Sequence, residues 1–172
     1  FVNWGSAAHG ASGGSRAAQT MLFDQAIRES KETGAVGPAA LLLPEGRAVL
    51  KRYLGGGRVV FYVERAVDIR QVVRYAKAQG MKPVIAGGAE AWIVARELAE
   101  ADVPVILNSL EDLPADFDRL GSRLDNAKLL HEAGVRIAFT WDESHNVRKN
   151  RQLAGNAVAN GLPWEAGLAA MT

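Results

Sequence analysis

The chain has 172 residues, 48% of them hydrophobic and 23% charged, with a net charge of +1. That is enough for one domain with a real core, and the near-neutral charge supplies no field for nucleic acid or an anionic membrane. The absence of cysteine excludes disulfides and thiolate metal sites, and no apolar run approaches the roughly 20 residues of a membrane span.

Residues 1–16 are rich in Gly, Ala and Ser and read as a loop, with His9 inert inside it. Ser15 is placed to cap a helix running from residue 16 to about residue 31. Residues 33–38 break the pattern, and a second helix is predicted from Pro44 to Tyr53, ended by three glycines at 55–57. From Arg58 the pattern changes. The runs "RVVFYV", "KPVIA", "VPVIL" and "VRIAF" are short and continuously apolar, as expected of strands buried on both faces. Between them lie helical patterns: one capped by Asp68 and ending at Gly80, the stretch "AEAWIVARELAEA", and a helix over residues 122–133. Residues 108–121 form a longer loop, and helices over 147–160 and 163–171 close the chain.

Apolar strands alternating with amphipathic helices imply an α/β fold with a parallel sheet. Four β/α units make half of a TIM-type (β/α)8 barrel, with an open α/β sandwich as the alternative. A whole barrel needs about 250 residues. The expected organisation is an N-terminal loop and helices over 1–57, with no strand, followed by four β/α units over 58–172.

In either architecture ligands bind at the carboxyl ends of the strands. Those ends carry Glu64 and Arg65, then Gly87 and Gly88, then Asn108, and finally the polar run from Thr140 to His145. Asp142 is the candidate general base there, and His145 the candidate proton shuttle. Arg148 opens a basic cluster with Lys149 and Arg151, suited to a substrate carboxylate or phosphate. Gly87 and Gly88 allow a backbone turn open to an anion. The stretch "HGASGGSR" lacks the form of a phosphate loop, and neither GxGxxG after a strand nor GxSxG occurs.

The runs "VERAVDIRQVVRYAKAQGMKPVIAGGAEAWIVARELAEADVPVIL" and "RLDNAKLLHEAGVRIAFTWDESHNVRKNRQLAGNAVANGLPWEAGLAAMT" resemble the second half of an amidohydrolase-superfamily barrel, in its imidazolonepropionase-related branch. The resemblance spans residues 58–172. It implies a hydrolase of C–N bonds that uses one or two divalent metals, zinc among them, to activate water. The departures fall on the metal ligands. Tyr62, or Glu64, stands where a strand-five histidine is expected, and Gly87 stands at the strand-six histidine position. Asp142 keeps the strand-eight acid. The expectation is therefore that this chain alone binds no metal or other cofactor, although its parent protein is a hydrolase. The chain opens on Phe1 and stops where the resemblance would continue into a β domain, so it is expected to be part of a longer protein. Two other readings stand beside this one: an inactive barrel relative serving as a scaffold, and an open domain binding a small anion at Gly87, Gly88 and Arg148. The expected partners are a small-molecule substrate and either a second copy or the missing half of the barrel, with no nucleic acid and no membrane. The cellular compartment stays open.

Overall fold

The structure, a computed structural model, describes residues 1–32, 37–141 and 144–171. Its elements in chain order are β1 (Val2–Asn3), α1 (Arg16–Lys31), α2 (Pro44–Leu54), β2 (Arg58–Val63), α3 (Ala66–Ala78), β3 (Lys82–Gly87), α4 (Ala95–Glu100), β4 (Val105–Leu107), α5 (Asn126–Glu132), β5 (Ile137–Phe139), α6 (Asn150–Ala159) and α7 (Trp164–Ala169). Short 3₁₀ helices cover Gly5–Ala11, Ala91–Val94 and Ser144–Lys149.

The five strands form one parallel sheet in the order β1-β2-β3-β4-β5. Strands laid down in chain order, with no reversal, are the winding of a barrel. A doubly wound open sheet reverses direction at a switch point. The fold is thus a partial TIM-type barrel, and it has five strands rather than four. The extra strand, β1, corrects the expectation that residues 1–57 hold none. It pairs Val2 with Phe61 and Asn3 with Tyr62, and Trp4 N–H donates to Tyr62 O at 2.9 Å. Two residues are too short to show a period, so only the tertiary pairing reveals them.

Strand register sorts the side chains onto two faces, because neighbours in a parallel ladder point the same way. One row is Val2, Phe61, Ile85, Val105 and Ile137. It belongs to the core, where Phe61, Val63, Ile69, Val72, Ile85, Leu98, Val105, Leu107, Leu130 and Leu153 are almost completely buried. Ile69, Val72 and Ala76 recur at helical spacing in α3, which is why that helix lies on this face. The other row is Asn3, Tyr62, Ala86, Ile106 and Ala138, and it lines a cavity.

Helix α1 begins where the sequence predicts. Ser15 Oγ accepts from Ala18 N at 3.1 Å, a side-chain N-cap. Phe23 of this helix, Trp4, Phe61 and Tyr75 form an aromatic cluster, edge-to-face among Trp4, Phe23 and Phe61 and tilted at Tyr75, that fixes α1 against β2 and α3. Asp68, expected as a helix cap, is not one. Helix α3 starts at Ala66 with Arg65 as its N-cap residue, and Asp68 lies in the first turn, 2% exposed, held by Arg16.

Candidate functional site

The concave side of the sheet opens at the carboxyl ends of the strands into a cavity of about 720 Å³. Its floor is small and apolar, made by Val60, Ala86, Ile106 and Ala138. Its polar rim has two sources. Strand ends supply Tyr62, Glu64, Asn108 and Thr140, and the loop after β4 supplies Glu111, Asp112 and Arg119.

Glu64 follows β2 directly and turns inward. Its carboxylate accepts from Ala89 N at 2.9 Å and lies over Gly87. A Cβ on Gly87, whose φ is +83°, would meet Glu64 Oε1 at 2.7 Å. Glycine is required here by both conformation and space. The Gly87-Gly88 turn, read from sequence as open to an anion, thus already holds one of the protein's own. The turn is fixed from below by Asn126, fully buried, whose Nδ2 donates to Gly88 O at 3.0 Å.

The loop over residues 108–121 is tied down at several points. Ser109 Oγ donates to Leu153 O at 2.6 Å, and Trp92 Nε1 donates to Gly121 O at 2.8 Å. Asp118 accepts from Arg16 Nη2 at 3.0 Å and from Ser6 N at 3.1 Å. Arg16 also donates to Asp68, at 2.8 and 2.9 Å, so one guanidinium joins α1, α3 and the loop. Burial pushes the Asp118 carboxyl up, but Ser6 and Arg16 outweigh it and hold it below its ordinary value.

These ties bring two residues into the cavity that the sequence reading did not single out. Asp112 is 5% exposed, and its Oδ2 has no hydrogen-bond partner among the described residues. Burial drives its carboxyl up to about 7; Arg119 opposes the shift, while Glu64 and Glu111 add to it. Arg119 donates from Nη2 to Glu111 O at 2.6 Å and from Nη1 to Glu111 Oε2 at 3.3 Å. Its Nε is buried without a partner among the described residues, as are Asn108 Nδ2 and Trp141 Nε1, and all three residues line the same cavity. Glu64 is also raised, chiefly by burial, against the pull of Ala89 N–H, Arg119 and a hydrogen bond from Tyr62. The signal that could have found Asp112 and Arg119 is the acid- and arginine-containing run "EDLPADFDR" in a long loop directly after a strand end, where long loops tend to carry function.

Of the sequence candidates, Glu64, Gly87 and Asn108 line the cavity. Gly88 is buried in the adjoining turn, and Arg65 is the N-cap residue just before α3. His145 and Arg148 are exposed on the 3₁₀ helix Ser144–Lys149 and do not line it. Asp142 lies outside the described residues. Lys149 Nζ sits over the Trp141 ring, 5.5 Å from its centroid.

A divalent metal of the superfamily's kind needs several imidazole or carboxylate ligands converging on one point. Among the described residues, no three His, Cys, Asp or Glu side chains are grouped to hold a metal ion. The inward residues near the ends of β2 and β3 are Tyr62 and Ala86, and the space beside Gly87 is filled by Glu64. The described donor set does not fit such a centre.

No family model matches the chain. Among curated proteins it is similar to the amidohydrolase tasK of Hapsidospora irregularis, at 35% identity over 94 residues, covering 51% of this chain and 10% of that protein. Among solved structures it is similar to an amidohydrolase from Thermotoga maritima MSB8, with a TM-score of 0.84 at 20% identity. That match covers 99% of this chain and 48% of the other. The chain therefore spans about a tenth of the length of the first and about half of the second. The shared architecture is that of a partial TIM-type barrel. The curated relative, an amidohydrolase by its description, matches this chain over 94 residues.

Proposed function

We propose that the cavity is the substrate site of a hydrolase acting on the C–N bond of a small amide, with Asp112 as its general base and acid. The observation that carries this reading is the placement of a buried, unpartnered carboxyl beside a guanidinium at the strand ends of an amidohydrolase-type barrel. A base that titrates near neutrality is suited to both halves of the reaction. Ionised Asp112 takes a proton from water as its oxygen bonds to the amide carbon. The same carboxyl then gives that proton to the leaving nitrogen as the C–N bond breaks. Arg119, Asn108 and Trp141 offer donors for the oxygen on which negative charge develops.

The donor set of the described residues favours a reaction that needs no metal from this chain. The strings quoted above support placement in the imidazolonepropionase-related branch. The preferred partner reading is a second copy or a complementary half barrel that covers the concave face.

The test is a panel of small linear and cyclic amides, followed by amine release, with and without chelator. The expected result is turnover that survives chelation and falls at least about 100-fold in kcat/KM on Asp112→Asn. Glu100→Gln, in an exposed ion pair on α4, should leave the rate unchanged. No turnover of any amide, or full activity in the Asp112 variant, would overturn the assignment. Loss on chelation with recovery on added zinc would overturn its metal-free form.

A further inference from the structure

We infer that the substrate is a cationic amide, an ammonium-bearing molecule whose positive charge lies against Glu64 and Asp112. This rests on the amide-hydrolase reading above and narrows it to a charge class.

The first ground is the balance of charge inside the cavity. The charged side chains that line it, among the described residues, are Glu64, Glu111, Asp112 and Arg119. Arg119 is engaged with Glu111 through both its side-chain and its backbone oxygen. Glu64 is satisfied in part by Ala89 N–H and Tyr62. That leaves Asp112, 5% exposed, with one oxygen lacking a partner among the described residues. The Arg119 guanidinium is spent on the half-exposed Glu111, and the other cation at the cavity, the α-ammonium of Phe1, belongs to a residue that is 82% exposed, so Glu64 and Asp112, over a floor of Val60, Ala86, Ile106 and Ala138, leave negative charge that water reaches poorly. A ligand cation offsets that cost, whereas a ligand anion adds to it.

The second ground is the set of unused donors. Among the described residues, Asn108 Nδ2, Trp141 Nε1 and Arg119 Nε are buried and unpartnered around the same space. They call for an acceptor oxygen on the ligand, as a carboxamide carbonyl provides. A molecule with an ammonium at one end and an amide oxygen at the other meets both requirements. The cavity, at about 720 Å³, is of the size that takes a small organic ligand rather than a bare ion. Binding such a cation favours the ionised form of Asp112, so it should release a proton near neutral pH.

Three probes of nearly equal size separate the cases: β-alaninamide, butyramide and succinamate, which are cationic, neutral and anionic amides. Their binding to the 172-residue chain is measured by isothermal titration calorimetry at pH 7, in buffers of different ionisation enthalpy. The expected result is that β-alaninamide binds at least about tenfold more tightly than succinamate, with butyramide between them and proton release seen only for the cation. Asp112→Asn, which copies the shape of the neutral acid, should remove both the preference and the proton release without lowering the melting temperature. Equal or tighter binding of succinamate overturns the inference. So does an unchanged preference in the variant, or no binding by any of the three. Hydrolysis of amides regardless of charge would end this inference and leave the hydrolase reading standing. Cation-selective binding without turnover would do the reverse.

Discussion

The two faces of one five-stranded sheet do opposite work. The row of Phe61, Ile85 and Val105 is sealed under helices and makes stability from apolar contact. The row of Tyr62, Ala86 and Ile106, one residue along in each strand, faces no helix of this chain and leaves space over the described residues. Alternation of side chains is all that separates them. The lesson is that stability and site chemistry are written into adjacent residues, so a shift of a single position in register would exchange them.

The sharpest contrast is between Phe61 and Tyr62. Phe61→Ala removes a fully buried ring and should cost about 3–5 kcal/mol in chemical denaturation. Tyr62→Ala, on the cavity side, should cost far less. Equal losses would show that the concave face is packed in solution, by a partner or by the chain itself.

Asp112 should show the opposite sign. Its ordinary pKa is 3.8, and in the folded chain it is about 7. Between these values the folded state holds a proton that the unfolded state has lost. Stability therefore falls as pH rises through that window, by up to about 4 kcal/mol for this group, and the penalty is complete above the folded value. Asp112→Asn should flatten this slope in urea titrations taken at pH 4, 6 and 8, and should raise stability at pH 8. A slope unchanged by the substitution would mean that the carboxyl is solvated.

A smaller effect is expected at the turn where the two faces meet. Gly87→Ala combines a φ of +83° with a contact at 2.7 Å to Glu64 Oε1. The expected cost is about 1–3 kcal/mol by thermal melting, with Glu64 driven from its bond to Ala89 N.

The sequence made the repeating units legible because each strand is a compact apolar run and each helix has a stripe. Ser15 and Pro44 marked helix starts correctly for the same reason: capping is local chemistry. The misses are non-local. Val2–Asn3 becomes a strand only because β2 is there to pair with it. Asp68 has the look of a cap, yet it serves a guanidinium 52 residues away. In the site, Glu64, Gly87 and Asn108 could be read from their places at strand ends. Asp112 and Arg119 could not, because a loop without periodicity gives no direction to its side chains. Here the direction comes from Arg16 and Ser6 gripping Asp118.

The carboxylate lying over Gly87 makes positions 64 and 87 a linked pair. A side chain at 87 competes for the volume that Glu64 already fills, whereas shortening residue 64 first clears it. Changes at the two sites are therefore non-additive, and the order in which they arrive decides whether the intermediate is tolerated. A larger side chain introduced at 87 would have to follow a truncation at 64, so each of these two positions sets what the other can accept.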